Sequence, residues 1–580
     1  MTRQSEAPLF APVRMERIAL PGGGWLLRSR EPLAPHAPRI TDWLWHWERA
    51  APARPFLRER GPDGGWQGVT FGEAAAQIRA LGAALLARGL GPGRPLAVLS
   101  GNSVRHALLA YAAQAVGVPC TAVSVPYSLQ SGDLGKLRHI LGRLRPGLLF
   151  AEDAAPFARA LTVEEAQGIE VVSAAGWNAL LATPATPAAI EGVDPDGLAK
   201  ILFTSGSTGV PKGVPATHRM LAANQQQLAQ AWPFLDREPP VLLDWLPWSH
   251  VFGGSQNLNL VLRGGGTLWI DAGRPMPGAF DRTLANLRDV APTLHFDVPR
   301  GIALLLPALE ADAALAEAFF SRLRLVFSAG AALPEAQFRR MQALAARHAP
   351  RPVPVVSGWG LTETAPAATN AHRMDAAPGG IGTPLPGVEL KLVPAEGKTE
   401  IRVRGPNVFP FYLDDGEATA AAFDAERFFR TGDAVAWVDA ADPDQGLRFD
   451  GRLAEDFKLS SGTRINAAEL RLRALAALGA LVRDVVVVGA DRDEVGLLVF
   501  PAESGVDQDA VRQALRAMNA AAGGGSSRRV GRAMLLAEPP SLDAGEVTDK
   551  GSLNARAIQA RRADMLARLY DNEDREVITP

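Results

Sequence analysis

Ile201-Leu-Phe-Thr-Ser-Gly-Ser-Thr-Gly-Val-Pro-Lys-Gly213 decides how this chain is read. The apolar run Ala199–Phe203, with Lys200 inside it, reads as a buried strand. It breaks into Thr204, Ser205, Gly206, Ser207, Thr208 and Gly209, and then Pro211, Lys212 and Gly213. Glycines let backbone N–H groups turn toward an anion at close range. Hydroxyls donate to phosphate oxygens, and Lys212 adds a compact positive charge. The loop is therefore suited to phosphate. It is not the P-loop of nucleotide hydrolases, which needs Gly-Lys followed by Ser or Thr and then a helix. Here Gly213 follows Lys212, Val214–Thr217 reads as extended, and a helix begins only near His218. The loop is expected to join two strands without help from a helix dipole. A flexible Gly/Ser linker is the alternative, but a linker seldom follows a buried strand directly and stops at Pro-Lys-Gly.

Outward from this loop, helices alternate with short apolar strands. Phe71–Leu86 reads as an amphipathic helix, Pro95–Ser100 as a buried strand, His106–Val116 as a helix and Cys120–Val125 as a strand. The alternation returns through Val241–Leu246, Leu323–Ser328 and Val353–Ser357, and implies parallel α/β layers. After Val388 the pattern changes to short strands and turns, expected to form a β-rich subdomain. A boundary near Gly451–Ala454 divides a large domain, residues 1–452, from a small α+β domain, residues 453–580. The small unit has a helix from Ala467, strands Asp484–Gly489 and Glu494–Phe500, and a helix from Asp509. The first 40 residues, rich in Pro, Gly and Arg without clear period, are expected to wrap the large domain.

The 580 residues suffice for two or more domains. A net charge of −2 points to neither nucleic acid nor an anionic membrane. No apolar run approaches the ~18 residues of a membrane span, and the N-terminus lacks the apolar core of a signal peptide. Cys120 is the only cysteine, so no internal disulfide forms, and a cytoplasmic location fits. Nine histidines lack metal-ligand spacing, which argues against zinc. Only seven of the 60 basic residues are lysines: Lys136, Lys200, Lys212, Lys391, Lys398, Lys458 and Lys550. Where arginine serves nearly everywhere, a retained lysine is more often wanted as a point charge. Lys391 and Lys398 are read as flanking an ordinary surface turn.

Further segments stand out. They are Trp245-Leu-Pro-Trp-Ser-His-Val-Phe-Gly-Gly254, Ser328-Ala-Gly-Ala-Ala-Leu-Pro334, Gly358-Trp-Gly-Leu-Thr-Glu-Thr-Ala-Pro366, Arg430-Thr-Gly-Asp433 and Gly451-Arg452. With the loop at 204–213, they resemble, in order, the motifs of the adenylate-forming acyl-CoA synthetase superfamily. The resemblance implies a large adenylate-forming domain and a small mobile lid. It implies ATP, Mg2+ and CoA as cofactors or co-substrates, a small carboxylic acid as partner, no nucleic acid, and a monomer or homodimer. Thr204, Ser205, Gly206, Ser207, Thr208, Gly209 and Lys212 would hold phosphate. Gly330, Ala331 and Ala332 would pack on adenine. Gly358, Trp359, Gly360 and Thr362 would meet the nucleotide, and Glu363 would hold Mg2+ as a hard oxygen ligand. Asp433 would accept from both ribose hydroxyls, and Arg452 would reach the nucleotide. Taken alone, a Thr-Gly-Asp is an ordinary turn, and His250 suits a buried structural role as well as a catalytic one. Ser249 is placed to cap a helix whose dipole would keep His250 neutral.

Two places depart from the family pattern. The pivot position after Gly451-Arg452 is Ala454 instead of Asp or Lys, and Lys458–Arg464, on the expected CoA side, is one residue longer than in most relatives. The C-terminal lysine motif is degenerate: Lys550, in Val547-Thr-Asp-Lys-Gly551, takes the catalytic position. Asp244–Gly254, Gly265–Pro275, Asp456–Thr463, Val547–Gly551 and Lys136–Leu141 look most like bacterial feruloyl-CoA synthases. That likeness implies an aryl acid in a slot framed by Trp248, His250, Gly254 and Trp359, with Ser255 or Asn257 at a ring substituent. A medium- or long-chain fatty acyl-CoA synthetase, a carrier-protein-loading enzyme and a nucleotide-binding regulator without catalysis are the alternatives.

Overall fold

The computed structural model describes residues 8–184, 192–205, 210–276, 278–522, 525–549 and 551–580. Strands Leu198–Ser205 and Pro211–Thr217 pair antiparallel, with Thr204 opposite Lys212 and Ser205 opposite Pro211. The expected strand–loop–strand is thus present. The helix His218–Ala231 follows at once, capped by the Thr217 hydroxyl, which accepts from the Met220 amide. Loop residues Gly206, Ser207, Thr208 and Gly209 lie outside the described residues, as does the side chain of Ser205.

Among the described residues this hairpin is the edge of a six-stranded sheet. Its order continues through Cys120–Ala122, Leu96–Val98, Leu148–Phe150 and Glu170–Val172. The inner strands are parallel and fully buried, which explains their continuous apolar sequence. Helices Phe71–Ala87 and Val104–Ala115 pack on them, the first opened by a Thr70–Glu73 capping box. A four-stranded sheet runs Val241–Asp244, Thr267–Ile270, Pro55–Arg60 and Trp66–Thr70.

The expected β-rich subdomain is not separate. Its strands Glu389–Ala395, Lys398–Arg404, Phe429–Trp437 and Leu447–Arg452 join Gly380–Pro384, Ala367–Asn370, Val355–Gly360, Leu325–Ser328 and Leu294–Asp297 in one eleven-stranded sheet. Nor do the first 40 residues merely wrap the domain. Met15–Ala19 and Trp25–Ser29 form a hairpin on that sheet's edge, with Leu27 opposite Leu390 and both fully buried. Gly24 makes the approach possible. Its φ is +88°, and a Cβ there would lie 2.0 Å from the Leu392 carbonyl.

The small domain has its own apolar core. Helices Ala467–Leu478 and Gln508–Ala521 cover the sheet Val482–Val488, Gly496–Pro501, Arg532–Leu535 and bury Leu470, Val485, Leu497, Val499 and Leu515. At its junction with the large domain, the Lys398 ammonium donates to the Asp450 carbonyl at 2.6 Å and lies 2.5 Å from the buried Asp456 carboxylate. Lys398 flanks the exposed hairpin turn at Glu396–Gly397, as expected, but its side chain is turned into this junction. Lys391 is likewise paired, to Asp424 and Glu426.

Glu546 fixes the C-terminal segment. Its side chain is fully buried and accepts from Arg562 at 2.7 and 2.9 Å, from Arg561 at 2.8 Å and from the Ser541 amide at 2.8 Å. Removing Glu546 leaves the buried Arg562 guanidinium without a carboxylate, while Arg561 keeps Glu538. Glu546→Ala is expected to destabilise the small domain by ~3–5 kcal/mol, read by urea unfolding. A loss below ~1 kcal/mol, the size of an exposed ion pair, would contradict this.

Candidate active site

The phosphate hairpin and the Glu363 turn are tied by a segment that none of the motifs includes. Glu363, 9% exposed, lies in the turn Thr362–Thr364 after strand Val355–Gly360. Its Oε1 accepts from the Tyr412 hydroxyl at 3.0 Å. The Lys212 ammonium sits 5.1 Å from the centre of the Tyr412 ring, a cation–π contact. The Leu413 amide donates to Gly213, and the Phe409 amide donates to the Glu363 carbonyl. Buried Asn407 donates to the Thr364 and Ala367 carbonyls. Burial, with the Glu363 charge adding to it, pushes the Tyr412 phenol far above its ordinary range, so the hydroxyl stays a donor. The signal in the sequence was the aromatic run Phe409–Tyr412 lying between motifs.

Gly360 has no room for a side chain: a Cβ would meet the Pro366 carbonyl at 1.8 Å. Gly358 is nearly as tight, 2.4 Å from Asn370 Oδ1. Between them, the Trp359 indole N–H donates to Asp433 Oδ2 at 2.9 Å. Asp433 is 3% exposed, with Arg452 Nε 3.4 Å from Oδ1. That Oδ1 has no hydrogen-bond partner among the described residues. Burial raises the Asp433 carboxyl, and Arg452 and Trp359 oppose the shift. Trp359 therefore belongs with Asp433 through its indole nitrogen. Gly330 and Ala331 are exposed at the turn after strand Leu325–Ser328, with Gly330 at φ +84°, and Ala332 is half-buried beside them.

The segment after Asp244 differs from expectation. Instead of an α-helix capped by Ser249, a π-helix runs Phe252–Asn257 with no side-chain cap. Gly253 and Gly254 allow it to wind against the preceding chain. Cβ atoms there would lie 2.4 Å from the Leu246 carbonyl and 2.2 Å from the Trp248 carbonyl. Trp248, Ser255 and Asn257 are buried. Asn257 donates its amide to Asp244 at 3.0 Å, and the Ser255 carbonyl accepts from Gln225.

His250 meets the small domain: its Nε2 lies 3.1 Å from the Asp549 carboxylate. The Tyr127 hydroxyl donates to the other Asp549 oxygen at 3.3 Å. Asp543 accepts from Ser131 Oγ at 2.6 Å and the Gly132 amide at 2.7 Å, and Lys136 donates to the Leu542 carbonyl at 2.6 Å. The stretch 542–549 is thus docked on 127–136. Lys550 lies outside the described residues. Ala454 is in the turn Leu453–Glu455. Lys458 and Arg464 face each other across a two-stranded ribbon, and Arg464 reaches toward Glu396 and Asp456.

The AMP-binding enzyme family profile matches residues 44–413, and that of the AMP-binding enzyme C-terminal domain matches residues 456–574. The chain belongs to the AMP-binding enzyme family. It is 30% identical over 329 residues to the mitochondrial malonate–CoA ligase ACSF3 of Mus musculus, covering 50% of this chain and 53% of that protein. It thus spans about half the length of that relative. The long-chain-fatty-acid–CoA ligase FadD15 of Mycobacterium bovis is 28% identical over 76% of this chain and 79% of its own. Among solved structures, a malonyl-CoA ligase with methylmalonyl-CoA and AMP bound is 30% identical, with TM-score 0.58, over 88% of this chain and 99% of its own. The anthranilate–CoA ligase AuaEII with anthranoyl-AMP shares the fold at 20% identity and TM-score 0.73, over 92% of this chain and 98% of its own. The architecture is that of a large N-terminal adenylate-forming α/β domain with a smaller C-terminal one. No helix among the described residues is long and apolar enough to cross a membrane.

Buried Asp244 beneath the π-helix has a pH signature. Burial, reinforced by Asp297 and Asp271, lifts its carboxyl to about 7 against bonds from Asn257 and Leu246. The folded state then holds a proton that the unfolded state releases near ~4. Stability falls as pH rises through this window and levels above about 7. Between pH 5 and 8 the stability of Asp244→Asn relative to wild type should shift in the variant's favour by ~2–3 kcal/mol, because holding one proton against a tenfold fall in its concentration costs ~1.4 kcal/mol. A pH-independent difference in urea unfolding would contradict the assignment.

Proposed function

We propose that this protein is an ATP-dependent carboxylate–CoA ligase. In the first half-reaction a carboxylate oxygen of the acid bonds to the α-phosphorus of MgATP, and the bond to pyrophosphate breaks. In the second, the CoA sulfur bonds to the acyl carbon, the acyl–oxygen bond to AMP breaks, and AMP leaves. The observation that carries this reading is the linked set Lys212–Tyr412–Glu363 beside the hydroxyl-rich hairpin. It sets a cation and a hard anionic oxygen at one phosphate-suited loop. Asp433, whose buried Oδ1 faces Arg452 without a hydrogen bond among the described residues, supports the ribose role.

Among the described residues no three His, Cys, Asp or Glu gather as a metal cluster. Glu363 therefore fits Mg2+ only as one ligand of an ion that arrives on the nucleotide phosphates, where it supplies charge neutralisation. Lys550 would neutralise charge growing at the α-phosphate and the carboxylate. The docked segment 542–549 supports an adenylate-forming orientation of the small domain. Rotation about residues 452–454 would then present Lys458–Arg464 to CoA. The Lys398–Asp456 pair puts a breakable contact beside Ala454.

For the acid we favour hydroxycinnamates and related aryl acids over long aliphatic ones, on the aromatic and glycine-rich segment Trp248–Gly254. The relatives' names, which span malonate, fatty acids and anthranilate, support only the broader ligase class.

ATP–pyrophosphate exchange over ferulate, cinnamate, malonate and dodecanoate tests this reading. Ferulate should exceed dodecanoate in kcat/KM, and the reverse order would reject the aryl assignment. Glu363→Gln should lower exchange ~10²–10³-fold with the fold intact, and normal magnesium dependence in that variant would remove Glu363 from the site. Lys550→Ala should abolish acyl-adenylate formation yet spare thioester formation from pre-made acyl-adenylate. Equal loss of both half-reactions would show the lysine to be misassigned.

A further inference from the structure

Lys200 interrupts an apolar strand and is 6% exposed. Its ammonium donates to the Gly254 carbonyl at 2.5 Å and has no second hydrogen-bond partner among the described residues. An ammonium carries three donors. It borders a cavity of about 10 Å3 lined also by His106, Tyr111, Gln114, Trp248 and Gly254. Two buried polar atoms of the lining residues lack partners among the described residues. They are Gln114 Oε1 on a side chain 3% exposed and Trp248 Nε1 on one 2% exposed. Orphaned groups of this kind are uncommon in folded interiors. Two of the other lining groups are bonded elsewhere. The Tyr111 hydroxyl donates to Asn259 and His106 Nδ1 is bonded to the Gly101 carbonyl. Burial takes the His106 imidazole down to about 4, with Lys200 adding to the effect, so it is neutral.

We infer that this cavity is a subsite for a single hydroxyl at the far end of the acyl group, with Lys200 and Trp248 donating to its oxygen and Gln114 accepting its proton. The inference rests on the ligase reading. The cavity lies one helical turn from His250, whose carbonyl accepts from the Gly254 amide. A hydroxyl offers one donor and two acceptor positions, which matches two donors and one acceptor. A second carboxylate does not fit. It needs three heavy atoms where the space admits about one water-sized group, and its oxygens would face the Gln114 carbonyl as acceptor against acceptor. A methyl terminus would leave Gln114 Oε1 and Trp248 Nε1 without partners and Lys200 with the Gly254 carbonyl alone. At neutral pH Lys200 is charged even though burial lowers it to about 8.

The test is the ratio of kcat/KM for 4-hydroxycinnamate over cinnamate in pyrophosphate exchange, in wild type, Lys200→Met and Gln114→Leu. Wild type should prefer the hydroxylated acid at least ~10-fold, because an unused polar site penalises the analogue that cannot fill it. In each variant the ratio should fall toward one, chiefly through loss on the hydroxylated acid. A Lys200 that only braces the π-helix would lower both rates together, and an unchanged ratio in both variants overturns the subsite. If Lys200→Met fails to fold, Gln114→Leu reads the same ratio. If neither aryl acid is activated but dodecanoate is, the aryl reading fails separately. The ratio for 12-hydroxydodecanoate over dodecanoate then judges the subsite by the same criterion.

Discussion

Asp543 and Asp549, six residues apart on the small domain, each grip the large domain through two contacts. Asp543 takes a hydroxyl and an amide from Ser131–Gly132, and Asp549 takes Tyr127 and His250. The proposed chemistry depends on these contacts, because they hold the segment that leads up to residue 550 against the large domain. Burial acts against the charge on Asp543, but its bonds from Ser131 and Gly132 hold its carboxyl below the ordinary range. The grip on 131–132 therefore persists across neutral pH. Glu546, between the two aspartates, keeps the segment in shape from within through Arg561 and Arg562.

A second brace works inside the large domain. The hairpin that presents Thr204 and Lys212 is an edge ribbon, and an edge ribbon does not hold a long side chain still by itself. Tyr412 joins it to Glu363, and the backbone bonds of Phe409 and Leu413 stitch the same two elements together. Asp433 is treated differently. Trp359 fixes one oxygen, and the other, buried and without a hydrogen bond among the described residues, faces Arg452 at 3.4 Å.

Much of this was legible in the sequence where chemistry is local. The strand–loop–strand at 198–217 followed from Gly213 after Lys212 and from the delayed helix at His218. What failed depends on distant partners. The N-terminal hairpin was hidden because Pro, Gly and Arg blur its period, and its pairing with Glu389–Ala395 spans most of the chain. The π-helix could not be foreseen, since it reflects contacts of Gly253 and Gly254 with residues 246–248. Lysine scarcity was more informative than the motifs suggested. Lys136, Lys200, Lys391 and Lys398 each hold a specific oxygen. The segments Lys136–Leu141 and Val547–Gly551, which look like one enzyme branch, flank the same interdomain contact. Ala454 explained little by itself, because the charge beside it comes from Lys398, far away in sequence.

The central claim is that the docked arrangement of residues 542–549 on 127–136 is the one that makes acyl-adenylate. Gly132→Cys with Asp543→Cys tests it directly. A Cβ on Gly132 would lie 3.0 Å from the Asp543 carboxylate, and Cys120, the only native thiol, is buried. Single-turnover assays of the oxidised double variant should show acyl-adenylate formed and retained, with thioester appearing only after reduction. Thioester formation at the wild-type rate with the crosslink intact would contradict the account.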